Sequence, residues 1–308
     1  MNFSDRVKKE IVSSGITPSS CLIKGFARGN LSLTVSGKRS GCVMTSDLSE
    51  VASFIFSGLV FWGAELDSEN VKGLNSAKLY NIALQGEKAR KFMTESEVIV
   101  FDGDKLVEIK ECVPDFAKQN EQNSKDYLIG VFLSAGSVFV PSEEESKLYQ
   151  LEFTFASHTF AQSFMDFLQG IGFATKHLDR KESAVVYVKD SEVISDMLAY
   201  MGAVEAMLEV QNVKVFRSVR NNQNRISNCE VGNIGKTVEA AQKQINAIHK
   251  LQKSGEFDKL DSKLKEVGLA RLDKPEEKLE TLALSLGISK SCINHRLRKI
   301  VAISEEID

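Results

Sequence analysis

The sequence predicts an α+β N-terminal region of two pseudo-symmetric halves, followed by an all-α C-terminal region. Three observations predict it. The stretch from Cys21 to about Lys110 and the stretch from Lys125 to about Val210 run through the same order of helix and strand patterns, with Gly25 and Gly130 in equivalent places. Strand signals vanish from about Asn212 onward. The segment LETLALSLGISKSCINHRLRKI has the form of a helix-turn-helix. These place the halves at residues 1–124 and 125–215 and the helical region at 216–308, with the boundary falling near 212–222.

In the first half, CLIKGFARGN is apolar and small and reads as a helix. LSLTV and CVMTS flank the turn SGKRSG as a hairpin. LSEVASFIFSGLVFWG carries apolar residues at helical spacing, with Asp47 and Ser49 as capping candidates. KLYNIAL and EVIVFDG read as strands. The polar AKQNEQNSKD is expected to be a connector. In the second half, YLIGVFLSAGSVF predicts a helix that stops at glycine and runs into a strand. YQLEFTFAS alternates like a half-buried strand, HTFAQSFMDFLQGIG is an amphipathic helix, and AVVYVKD is a strand. SEVISDMLAYMG is a helix expected to open with a capping box. Beyond the boundary, GKTVEAAQKQINAIHKLQKSG predicts a long helix ending near Gly255, and DSKLKEVGLARL a short one.

In the C-terminal motif, Leu279, Leu282, Ala283 and Leu286 form the apolar face of a first helix. Gly287 supplies the turn, Ile288 is a core residue, and Ser289 is a natural N-cap for the next helix. Ile293, Leu297 and Ile300 lie at i, i+4, i+7, the buried stripe. That leaves Ser289, Lys290, Ser291, Asn294, His295, Arg298 and Lys299 as the candidate DNA contacts. Asn and Arg pair with adenine and guanine edges in a major groove, whereas Ser, Lys and Arg hold phosphates. From Leu286 to Val301 there are basic residues and no acidic ones; the alternative, a solvated helix face, ordinarily mixes both signs.

The stretch RSVRNNQNRISNCEVGNIGK sets Arg217, Arg220, Arg225 and Lys236 against the single acid Glu230. As a linker it would either follow a phosphate backbone or cap the long helix and hydrogen-bond across the domain junction. Arg180, Lys181 and Lys189, near the second-half strands, fit either a DNA-facing remnant or a solvated hairpin.

Composition narrows the classes further. Hydrophobic residues make up 43% and charged residues 26%, ordinary values for a globular protein, and the net charge of −3 requires any basic surface to be local. No apolar run approaches the roughly 18–20 residues that span a bilayer, and the polar N-terminus lacks a signal-peptide core. Cys21, Cys42, Cys112, Cys229 and Cys292 show no CxxC spacing, which speaks against a zinc site or a disulfide framework and fits a reducing cytoplasm. His158, His177, His249 and His295 have no metal-ligand spacing. There is no GxGxxG, P-loop or GxSxG pattern, so neither metal nor cofactor is expected.

The two small-residue helices, each opening a block of strands and helices, resemble those of the LAGLIDADG homing endonucleases. Aligned on glycine, that family's second acidic position falls on Asn30 and Ala135, and its first on Arg28 and Leu133. The closing glycine is Gly136 in the second half but Leu31 in the first. The family's phosphodiester cleavage needs carboxylates that hold divalent ions. The resemblance therefore implies a packing seam that has lost its catalytic half.

YVKDSEVISDMLAYMGA, VRNNQNRISNCEVGNIGKTVEAAQKQI and LARLDKPEEKLETLALSLGISKSCINHRLRKI together resemble WhiA, a bacterial regulator family that joins a degenerate LAGLIDADG-like domain to a helix-turn-helix domain. The resemblance covers nearly the whole chain and is looser in the N-terminal half. It implies a cytoplasmic, nucleoid-associated protein that binds double-stranded promoter DNA, controls transcription tied to cell division and sporulation, and is not an enzyme. Another regulatory protein would be a further partner. An active metal-dependent endonuclease and a protein-binding scaffold are the alternatives.

Overall fold

The computed structural model describes residues 2–36, 39–70, 78–102, 105–142 and 148–307. The chain divides into two compact units, Met1–Arg217 and Ser218–Asp308.

In the first unit, α1 (Phe3–Ser13) precedes two blocks. The first is α2 (Ser20–Asn30), β1 (Ser32–Ser36), β2 (Arg39–Ser46), α3 (Ser49–Leu59), β3 (Glu65–Asn70), β4 (Lys78–Gln85) and α4 (Gly86–Glu95). The hairpin β5 (Ile99–Asp102) and β6 (Lys105–Ile109) follows. The second block is α5 (Glu121–Ala135), β7 (Gly136–Phe139), β8 (Gln150–Phe155), α6 (His158–Gly170), β9 (Lys176–Asp179), β10 (Ala184–Val188) and α7 (Ser191–Met201). Among the described residues the strands form two antiparallel four-stranded sheets, β1-β2-β4-β3 and β7-β8-β10-β9. The second order repeats the first, so the duplication legible in the sequence is also a duplication of topology.

The seam between the halves is the α2–α5 pair. α2 turns an apolar face to the seam, with Lys24 and Arg28 outside that face, and α5 is apolar on nearly every side from Tyr127 to Leu133. α2 buries Cys21, Leu22, Ile23, Phe26 and Ala27, and α5 buries Tyr127 through Leu133. Ser19 caps α2, accepting from the Leu22 N–H at 3.2 Å, and its hydroxyl donates to Asp126 on α5 at 2.5 Å. Glycine sets the crossing distance. A methyl built on Gly130 would come within 3.0 Å of backbone atoms of Leu22 and Phe26, and one on Gly25 would meet the Tyr127 carbonyl. Each glycine thus receives the residue three positions before its counterpart. Gly136 is required for a different reason: its φ is −86°, but a Cβ there would strike Phe132.

The structure corrects several expectations. α3 begins after Leu48, which makes no side-chain cap, so neither Asp47 nor Ser49 caps it. α7 is capped by Asp190, which accepts from Glu192 N–H at 2.8 Å; the capping box fails because the third helical position is Val193. Most of the supposed connector AKQNEQNSKD is already structured. Asp115–Lys118 is a 3-10 turn, and Asn120 caps α5 by accepting from Asn123 N–H at 2.8 Å. The strands β3, β6 and β9 had no sequence signal; ELDSEN and KHLD are polar, because exposed edges do not need alternation. The tip of the first hairpin, residues 37–38, lies outside the described residues.

α8 (Val204–Lys253) carries the chain from the first unit into the second. The basic, Asn-rich stretch read as a linker lies inside it. Asn costs at most about 0.7 kcal/mol per residue against Ala, and Gly about 1, and extending a helix needs no new nucleus. The role of helix cap is therefore excluded for this stretch. In the second unit, α9 (Ser262–Asp273), α10 (Leu279–Ser285) and α11 (Lys290–Glu305) follow. They close on a core of Ile248, Leu251, Phe257, Leu264, Val267, Leu282, Ala283, Ile293, Leu297 and Ile300.

Candidate nucleic-acid interface

α10 and α11 form the helix-turn-helix. Leu282 and Ala283 are buried, while Leu279, Leu286 and Ile288 are partly buried against the same core. Gly287 takes the left-handed conformation, φ +65°, at the turn. The Ser289 hydroxyl accepts from the Cys292 N–H at 3.2 Å and starts α11. Ile293, Leu297 and Ile300 face inward, fully buried. Ser291, His295, Arg298 and Lys299 are consequently exposed.

Two of the sequence-predicted contacts are less free than the spacing suggests. Lys290 is exposed, yet its ammonium lies 2.6 Å from Glu280 of α10, whose carboxyl is held below its ordinary value by that lysine. So exposed a pair is screened by solvent and contributes little, so a phosphate can replace Glu280. Asn294 is half-buried, lining with Arg298 a groove whose other wall is Ala240, Lys243 and Gln244 of α8. Sequence spacing placed Asn294 outward because it cannot register the late part of α8 beside α11.

Arg220, Arg225 and Lys236 project from α8 in a run, residues 218–240, that is exposed throughout. In the first unit, Arg180 lies 3.9 Å from Glu152 and Lys189 stands over the Tyr187 ring at 5.4 Å. Sequence spacing also missed a cluster: His158 Nδ1 and His177 Nε2 converge on one oxygen of Asp179, at 2.6 and 3.2 Å. They come from different elements, so no spacing rule finds them.

The ends of α2 and α5 lie against each other, since a methyl on Gly29 would meet Ser134 and Ala135. Asn30 donates from Nδ2 to the Thr45 carbonyl, and its Oδ1 is buried without a partner. Arg28 donates to the Lys110 carbonyl and stacks its guanidinium over Phe160 at 4.3 Å. Burial pushes this guanidinium down from its ordinary value, partly countered by Tyr127, Cys112 and Glu111. A cleft of about 410 Å³ opens here, and among its described lining residues Glu111 is the one carboxylate. A divalent ion for phosphodiester cleavage requires several hard anionic oxygens. An amide, a methyl group and a guanidinium do not fit that requirement.

An α+β domain with two repeated antiparallel sheets across a glycine-bearing helix pair, followed by a helix-turn-helix, defines a LAGLIDADG-like fold joined to a helical C-terminal domain. Comparison with known families matches residues 124–220 to the WhiA LAGLIDADG-like domain and residues 223–304 to the WhiA C-terminal HTH domain. The chain is 31% identical over 319 residues to the Probable cell division protein WhiA of Clostridium acetobutylicum, covering 100% of this chain and 98% of that protein. It is 32% identical over 312 residues to the protein of the same name from Streptococcus gordonii, with both chains covered fully. The crystal structure of full-length DUF199/WhiA from Thermatoga maritima superposes with a TM-score of 0.54 at 21% identity, covering 100% of this chain and 99% of that one, a likeness of fold. The chain belongs to the WhiA family.

Proposed function

We propose that this chain is a sequence-specific DNA-binding regulator of transcription, acting on promoter sites of genes for cell division and, where the organism forms spores, sporulation. The observation that carries the reading is the outward face of α11. Ser291, His295, Arg298 and Lys299 stand exposed on a helix whose opposite face is locked into the core. A second helix of this motif lies in the major groove, where Arg reads guanine and Lys and Ser hold phosphates. The names of the relatives, which describe a cell division protein, support the process. The same reading makes Ser289, Lys290 and Asn294 contacts at the start of α11, and Arg220, Arg225 and Lys236 phosphate contacts along α8. It places the protein at the nucleoid and leaves room for a second regulatory protein as partner.

In this reading the N-terminal domain does not cleave DNA. Asn30 and Ala135 stand where carboxylates would be needed, and Arg28 brings a positive charge to the same end of α2. Selection of random duplexes by the full-length protein, followed by hydroxyl-radical footprinting on the enriched sequences, tests the reading. A reproducible motif with protection on one face of the duplex is expected. Failure to enrich any motif would refute sequence-specific binding.

A further inference from the structure

Arg271 on α9 is a charged side chain in a place that does not satisfy it. The residue is 2% exposed. Its Nη1 donates to the carbonyl oxygens of Glu277 at 2.8 Å and Pro275 at 3.4 Å, and its Nε–H has no partner. Burial pushes the guanidinium down from its ordinary value with no neighbouring carboxylate to oppose it; an arginine so shifted is still charged at neutral pH. A buried charge is normally paired, because desolvating it alone is costly.

Arg271 lines a pocket of about 280 Å³ within the C-terminal unit, whose wall combines apolar Ala240, Ala241 and Leu279 with a set of cationic side chains. Lys236 of α8, Lys278 at the start of α10 and Lys290 at the start of α11 supply three ammonium groups. Among the described lining residues Glu280 is the one carboxylate, and it is already engaged by Lys290. Gln244 also lines this pocket, and its Oε1 is buried without a donor. Turned over, the same amide presents two N–H groups instead. The polar part of the wall, Glu280 apart, then offers donors and positive charge.

We propose that this pocket binds a phosphate group, with Arg271 Nε–H and the Gln244 amide at its floor and Lys236, Lys278 and Lys290 at its rim. The phosphate would be either a phosphodiester of bound DNA or the phosphoryl group of a small metabolite. The recognition chemistry is the same for both: charge-assisted hydrogen bonds to tetrahedral oxygens. Because Lys278 and Lys290 begin the two helices of the motif, an occupant bears directly on the placement of α10 and α11. The proposal does not rest on α11 reading DNA, since a free phosphate would occupy the same groups.

The test follows the Arg271 Nε–Hε signal in full-length protein labelled with ¹⁵N-arginine. The signal is assigned by Arg271→Lys, or by through-space contacts to Glu277 if that variant does not fold. Inorganic phosphate, chloride at matched ionic strength and a mixed-sequence DNA duplex are titrated separately. A saturable shift with phosphate that chloride does not reproduce supports the site and a free phosphorylated ligand. A shift with duplex alone supports the site and assigns it to the DNA backbone. In either case the double variant Lys236→Ala, Lys278→Ala, altered only at exposed side chains, should keep its fold and weaken the titration by about tenfold or more, the loss expected for at least one charge-assisted contact. No movement with phosphate or duplex, an equal response to chloride, or an unchanged titration in the double variant would overturn the proposal.

Discussion

Gly130→Ala should destabilise the N-terminal unit, although the same change in an open helix stabilises. In a solvent-exposed helix interior, replacing Gly by Ala gains about 1 kcal/mol. At Gly130 the new methyl would come within 3.0 Å of the Leu22 carbonyl group and the Phe26 nitrogen, which are backbone atoms of α2 and cannot rotate away. Relief comes only by forcing α2 and α5 apart, which loosens the packing of Phe26, Tyr127 and Phe132. Overpacking of this kind costs about 3 kcal/mol, so the net loss is about 2 kcal/mol. For a unit of this size that corresponds to a fall of roughly 4–8 °C in thermal midpoint. The control is Gly235→Ala on α8, where a methyl meets nothing within 4 Å and the propensity gain stands alone. Calorimetry of the full chain, resolving the transition of each unit, reads both variants. An unchanged or raised midpoint for Gly130→Ala would refute the close crossing.

Further expectations concern chemistry. Purified protein should not nick supercoiled plasmid with magnesium or manganese; metal-dependent cleavage that is lost on changing Asn30 would contradict the account of the α2 and α5 ends. The hydrogen bond from Lys9, with Glu50's own backbone and Ser49, holds the Glu50 carboxyl at about 2, below the 4.5 of a free carboxyl. Its contribution is therefore full above pH 4.5 and lost as pH falls toward 2. Lys9→Met should move the Glu50 ¹³C-carboxyl titration upward, and an unmoved titration would exclude the pair as its cause. Burial pushes the Cys21 and Cys42 thiols up to about 12, whereas Cys112 and Cys229 are exposed. A thiol reagent at pH 8 should modify Cys112 and Cys229 first and reach Cys21 and Cys42 only on unfolding. Simultaneous reaction of all of them would mean the core is open.

The parts of the structure legible in the sequence are those where one strong local cause acts. Gly287, Ser289 and the Ile293, Leu297, Ile300 stripe announce the motif because turn geometry, capping and burial each select a residue type there. Gly25 and Gly130 announce the seam because only a missing side chain allows the approach. What the sequence hid depends on contacts between distant segments. Arg271 reads as an ordinary basic residue in LARL until the fold buries it, and the His158–Asp179–His177 cluster exists only once β9 lies beside the start of α6. The helical course of the Asn-rich run was missed because local propensity opposes it weakly, while the helix on either side carries it through.

The quadruple variant Lys290→Ala, Asn294→Ala, Arg298→Ala, Lys299→Ala tests α11 as the DNA reader most directly. These side chains lie off the buried stripe, so the thermal midpoint of the C-terminal unit should stay close to wild type. Fluorescence anisotropy on the selected duplex across a range of salt should show specific affinity falling by at least one base-reading contact, about 1–3 kcal/mol, with a shallower salt slope from the lost phosphate contacts. A folded quadruple variant that binds the duplex with wild-type affinity and wild-type salt slope would contradict the assignment and move the DNA contacts to the basic run of α8.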